Sequence, residues 1–147
     1  MKTQKVTTFL WFKGTLAEEA ARFYVSILPD ARVLSSSPMA TTFEVAGTRL
    51  VALNGNPGHD FTEATSILIE CEDQSEVDRL WAGLTSGGGE PGRCGWLKDR
   101  FGVSWQVIPR RMMDLMGNPA VVQAMMQMSK IDIAALERAN GGRVVKP

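Results

Sequence analysis

Two cysteines, one histidine and a run of three glycines are the residues whose types first suggest chemistry in this chain. Gly87-Gly88-Gly89 offers bare amides of the kind that cradle phosphate. A phosphate loop, however, needs a strand before the glycines, a helix after them and a Lys-Ser/Thr pair. Here the glycines close a helical pattern and Glu90-Pro91 follows, so the run reads as a helix-to-strand connection. No glycine-rich turn follows an opening strand, which argues against a Rossmann site for a nucleotide or S-adenosylmethionine. His59 stands beside Asp60 in a loop rich in Gly, Asn and Pro. A carboxylate can orient an imidazole for general-base work, but adjacent residues rarely face each other, and the pair reads as a solvated loop. Cys94 follows Arg93, whose charge favours a thiolate. With no histidine nearby in sequence, Cys94 reads as a small buried hydrophobe, and so does Cys71 at the end of an apolar strand. The mixed-charge run Lys98-Asp99-Arg100-Phe101-Gly102 reads as a turn with self-paired charges rather than an anion site.

Elements with clear periodicity position these residues. Val6 to Phe12 is rich in β-branched and aromatic residues and predicts a strand ending at Gly14. Thr15 and Glu18 have capping-box spacing, and Leu16, Ala20, Phe23, Tyr24 and Ile27 make one helical face. Strands are predicted over 31–36, 40–45 and 48–53, with Ala46-Gly47 as the last turn. The order then repeats: a strand from Thr65 to Cys71, a helix opened by Asp73 and Glu76, and a Gly/Pro-rich stretch leading into Gly95-Trp96-Leu97. A last strand covers Val103 to Ile108. A duplicated βαβββ unit fits this self-similarity; a solenoid needs more and shorter repeats. The expected fold is α+β, two tandem βαβββ modules (1–60 and 61–109) forming a curled mixed sheet around a cleft. A helical arm (110–147) follows. In that arm Asn118-Pro119 and Asp132 predict helix starts, and Ile131 with Leu136 has the spacing of a hydrophobic staple. Its apolar stripe must cover its own domain or a partner subunit.

Composition bounds the function. The 147 residues are 44% hydrophobic and 22% charged, enough for one buried core or two half-domains sharing one. Sixteen basic residues balance sixteen acidic ones, which leaves no basic footprint for nucleic acid or for a membrane surface. No stretch approaches the ~20 apolar residues of a membrane span. Phe9-Leu10-Trp11-Phe12 is too brief for a secretory signal. Two cysteines make neither a disulfide framework nor a four-ligand zinc site. A soluble cytoplasmic protein is expected.

Phe23-Tyr24, Ala52-Leu53-Asn54-Gly55, Cys71 with Asp73-Gln74 and Asp78, Trp81, and the long run from Cys94 to Gln106 carry a resemblance. Together they resemble the PhnB-like branch of the vicinal oxygen chelate (glyoxalase/bleomycin resistance/dioxygenase) superfamily, a branch often labelled 3-demethylubiquinone methyltransferase-like. The segment Met125 to Leu136 resembles its C-terminal tail. The resemblance implies paired βαβββ modules around a cleft, commonly in homodimers. It also implies a divalent metal held by His and Glu side chains on the outer strands, polarising substrate oxygens as a Lewis acid. Here that pattern breaks: 3–14 and 45–58 contain no His, Asp or Glu, Ser66 stands where a histidine is expected, and Gln106 where a carboxylate is. Hydroxyl and amide are weak ligands. No metal and no cofactor are therefore expected.

What remains is a neutral cleft. Ser66 and Glu70 share one strand face, Ser104 and Gln106 another, Phe9 and Trp11 a third, and Trp96 lies at a strand end. These seven are the candidate substrate-binding residues, with Glu70 the most plausible ionisable group; no catalytic set is assigned. The principal expectation is a metal-free, homodimeric small-molecule-binding protein. Alternatives are a divergent isomerase, lyase or dioxygenase relative using Glu70 or Cys94, a methyltransferase as the label says, and a purely structural dimer module.

Overall fold

Strand β1 (Thr8–Lys13) alternates, with Leu10 and Phe12 buried and Phe9 and Trp11 exposed. In the computed structural model, which describes residues 3–142, β1 belongs to a unit that ends at Asp60. Helix α1 (Ala17–Ile27) follows, then β2 (Arg32–Ser36), β3 (Ala40–Val45) and β4 (Thr48–Asn56). The sheet order is β1-β4-β3-β2, with β1 parallel to β4 and the other pairs antiparallel. A parallel pair needs a crossover, and α1 supplies its start by packing on β2, β3 and β4. There it buries Ala17, Ala20, Ala21 and Tyr24, whose ring stacks on Phe43 at 5.8 Å. Ala46 and Gly47 both take positive φ, as the tight turn between β3 and β4 requires.

The start of α1 departs from the sequence expectation. Thr15 and Glu18 do not form a capping box. The residue preceding the helix is Leu16, which makes no side-chain cap, and Asn54 Oδ1 on β4 accepts the Ala17 N–H at 2.8 Å. The tight turn after Gly14, closed by Leu16 N–H on the Lys13 carbonyl, leaves Thr15 outside the helix. Glu18 is engaged elsewhere, accepting from Ser36 Oγ at 2.9 Å and Arg22 at 3.2 Å.

The second unit opens at Phe61. It holds β5 (Ser66–Cys71), α2 (Gln74–Thr85), β6 (Glu90–Pro91), β7 (Trp96–Lys98) and β8 (Ser104–Pro109). Its sheet order, β5-β8-β7-β6, repeats the first unit's pattern, so the chain is α+β with two βαβββ halves and a separate four-stranded mixed sheet in each. Asp73 caps α2 by accepting Glu76 N–H at 2.9 Å, while Glu76 reaches back to the N–H of Glu72. Val77, Leu80 and Leu84 are buried beneath α2, and Trp81 only partly. The turn into β8 is built on Asp99, 3% exposed, which accepts from Trp105 Nε1 at 2.9 Å and from the amides of Phe101 and Val103.

Three short helices complete this unit: α3 (Arg110–Leu115), α4 (Pro119–Met126) and α5 (Ile133–Ala139). Asn118 and Asp132 cap α4 and α5 through Ala120 and Ala135. Met112, Leu115, Val121, Ile131 and Leu136 close over Ile108 at the end of β8 in one buried cluster. The arm's stripe thus covers its own unit. Residues 1–2 and 143–147, the outer ends of the first module and the arm as read from sequence, lie outside the described residues. Among the described residues no helix is long and apolar enough to cross a membrane.

The two capping schemes differ measurably. Asn54→Ala should lower unfolding stability by about 1–2 kcal/mol in urea titrations, against less than about 0.5 kcal/mol for Thr15→Ala. The opposite ranking would mean that the local box forms after all.

Candidate functional site

Strand alternation decides which side chains of the second unit face away from α2. Register places Ser66, Ser104, Lys98 and Glu90 in one row across β5, β8, β7 and β6. Leu68, Gln106 and Trp96 make the next row, and Glu70 with Ile108 the third. The opposite face carries Ile67, Trp105 and Leu97. Gln106 Nε2 donates to Ser66 Oγ at 2.9 Å, tying the two central strands together through side chains.

At the β7 end of this face lies a concavity of about 360 Å3 lined by Trp96, Lys98 and Ser104, with Glu63, Glu90 and Arg93 around them. Ser104 is 1% exposed, yet its Oγ has no hydrogen-bond partner among the described residues. Two other buried polar atoms among the described residues share that status, Arg111 Nε and Glu137 Oε1. Those two side chains face each other as an ion pair at 3.6 Å. Ser104 has no such opposite. Lys98 pairs with Glu63; that bond, more than the longer-range attraction, holds the Glu63 carboxyl below its usual range and raises the Lys98 ammonium.

Of the seven candidate residues, the structure gathers five, Ser66, Glu70, Trp96, Ser104 and Gln106, on this one face. Glu70 sits further along β5, half exposed, with Arg110 at 3.5 Å; the same guanidinium holds Glu72 at 2.8 Å. Phe9 and Trp11 belong to the first unit, 57% and 37% exposed, on the face of β1 opposite Leu10 and Phe12. Trp11 donates to the Asn54 carbonyl at 2.9 Å and has the His59 ring 5.5 Å from its own. Asp60 does not orient that imidazole. It pairs with Lys13 at 2.8 Å, which holds its carboxyl below the usual range.

Glu63 and Glu90 were not singled out from sequence, and Arg93 only as the neighbour of Cys94. Glu90 lies in a two-residue strand with no period to read, and Glu63 in a connecting loop. Lys98 was visible, but as a member of a self-paired turn. Its actual partner lies 35 positions upstream, while its neighbours Asp99 and Arg100 turn to Trp105 and Ser86.

Comparison with known proteins places this geometry. The family described as 3-demethylubiquinone-9 3-methyltransferase matches residues 4–108. The chain belongs to this PhnB-like family. A solved PhnB protein from Bacillus cereus, described as a putative 3-demethylubiquinone-9 3-methyltransferase, is 31% identical. The match covers 72% of this chain and 99% of that one, with a TM-score of 0.65. A glyoxalase/bleomycin resistance protein from Albidiferax ferrireducens is 12% identical over 70% of this chain and 97% of its own, TM-score 0.52. The fosfomycin resistance protein FosX from Listeria monocytogenes, solved with Mn(II) and sulfate, is 16% identical over 71% and 88%, TM-score 0.53. These two likenesses concern fold alone. No curated protein matches the chain.

The divalent metal that the resemblance implies does not fit the side chains that stand here. Ser66 and Gln106, at the positions expected to carry ligands, are neutral and hydrogen-bonded to each other. Among the described residues no three of His, Cys, Asp or Glu gather into a metal-holding group.

The cysteines also separate. Cys94 takes φ +59° and donates its N–H to the Met128 carbonyl at 2.9 Å. Cys71 is fully buried, and burial, helped by the nearby Glu76 carboxylate, pushes its thiol up to about 12. Below its ordinary value of 9.0 folded and unfolded chains both keep that proton. Above it the unfolded chain releases the proton while the folded chain holds it, so stability falls as pH rises through that window. Urea titrations at pH 8 and pH 10 should show the wild type losing about 1 kcal/mol more than Cys71→Ala. Equal losses would mean the buried thiol ionises normally.

Proposed function

We propose that this protein binds a small organic molecule, without a metal, in the concavity of its second unit. The observation that carries this reading is the Ser104 hydroxyl. A buried hydroxyl left unpaired costs about 1–3 kcal/mol, and alanine at this position would avoid that cost. A ligand atom that completes the Ser104 hydrogen bond would remove that cost. The size of the hollow falls in the range of small-molecule sites, and its lining combines an aromatic surface with a few polar groups.

The lining also limits the ligand. The Trp96 indole offers a flat face for a ring, Ser104 Oγ offers one donor or acceptor, and the Lys98–Glu63 pair borders the site with little net charge. A planar, partly apolar molecule bearing a hydroxyl or carboxylate meets all three. The family resemblance also supports a homodimer, which sedimentation equilibrium reads directly; a monomer throughout the accessible concentration range would remove it.

A panel of phenols and benzoates followed by amide NMR should shift Trp96, Lys98, Ser104 and Gln106 together. Ser104→Ala should leave stability unchanged or raise it by up to about 1 kcal/mol, while weakening the best panel member about tenfold, or ~1.4 kcal/mol. Elemental analysis of untreated protein that finds a stoichiometric transition metal would overturn the reading, as would shifts confined to Phe9 and Trp11.

A further inference from the structure

The C-terminal arm meets the segment that walls the concavity. Between β6 and β7 the chain runs Gly92-Arg93-Cys94-Gly95, and Gly92 and Arg93 line the hollow just before Trp96. Arm atoms satisfy this segment almost continuously. Cys94 N–H donates to the Met128 carbonyl at 2.9 Å and Gly95 N–H to the Ser129 carbonyl at 2.8 Å. Ser129 Oγ donates to the Gly92 carbonyl at 2.6 Å, and the Arg93 guanidinium to the Met126 carbonyl at 2.9 Å. On its other side, the Gly95 carbonyl accepts Val107 N–H from β8 at 2.8 Å. Gly95 has φ +85°, and an added Cβ would lie 2.7 Å from Ile108 and 3.1 Å from Ile131. The loop is therefore held between the central strand and the arm, at a residue where only glycine fits.

The arm is in turn fastened from behind. Gln74 on α2 donates to the Ile131 carbonyl at 2.9 Å and accepts Ile133 N–H at 2.8 Å. Lys130 pairs with Asp78 of the same helix at 2.9 Å. The family match ends at residue 108, before the arm begins. We propose that the arm segment from Met126 to Ser129 is a positioning element of the binding concavity, fixing the Gly92–Gly95 wall and thereby the place of Trp96, with Gln74 as the remote residue that holds the segment in place. This rests on reading the concavity as the binding site.

Gln74→Ala and Ser129→Ala test the proposal, with Ser129→Thr retaining the hydroxyl. Amide exchange at Cys94 and Gly95 should quicken at least about tenfold in both alanine variants, with exchange in β1 and β4 unchanged. Affinity for 4-nitrophenol, read at the Trp96 indole N–H, should fall about threefold or more through lost preorganisation, although Gln74 does not line the hollow. Ser129→Thr should restore both. Unchanged exchange and wild-type affinity in the alanine variants would overturn the proposal while leaving the binding site standing. A wild-type protein in which neither 4-nitrophenol nor any other phenol or benzoate moves Trp96 and Ser104 would overturn the binding reading, and the proposal with it.

Discussion

The parallel pairing at one side of each sheet, β1 with β4 and β5 with β8, is the constraint from which the rest follows. Parallel neighbours cannot be joined by a tight hairpin, so each unit sends its chain through a helix and returns it along three further strands. That helix covers one face only. In β1 exposure alternates, with Leu10 and Phe12 buried and Phe9 and Trp11 exposed, while in β8 the side-chain type alternates, with Trp105 and Val107 against Ser104 and Gln106. The face that the helix leaves uncovered holds the hydroxyl, amide and indole groups of Ser66, Ser104, Gln106 and Trp96, and the arm closes over Ile108 at its far end. The concavity occupies one end of such a face.

Much of the fold was legible because it is written in local periods. The β3 and β4 pattern, the Ala46-Gly47 turn, the Asp73 cap and the two caps of the arm depend on residues within a few positions of one another. The failures are non-local. Asn54 caps α1 from a strand more than thirty residues away, so the nearby Thr15–Glu18 pattern, correct in spacing, had no helix end to satisfy. Glu90-Pro91 is a strand only because β7 lies beside it; two residues with a proline carry no alternation.

The candidate site shows the same division. Ser66, Ser104 and Gln106 were named from strand parity and Trp96 from its place at a strand end, and parity survives small errors in strand ends. The charged lining was beyond reach, because ion pairing is decided in space. Asp99 illustrates this: placed between Lys98 and Arg100 it looks like part of a surface turn, yet it is buried and accepts three hydrogen bonds. With Asp99 drawn inward, Lys98 is left to find Glu63 from another segment.

The Ser66–Gln106 hydrogen bond bears most directly on how this chain differs chemically from a metal-binding relative. A carboxylate and an imidazole at those two positions would need a cation or water to offset charge and desolvation on a half-buried face. An amide and a hydroxyl hydrogen-bond across β5 and β8 and bring no charge that must be offset. The unpartnered hydroxyl, Ser104 Oγ, lies in the same row as Ser66. On the proposed reading, a neutral hydrogen bond at Ser104 beside the Trp96 indole selects for the shape and oxygen pattern of a ligand more than for its charge.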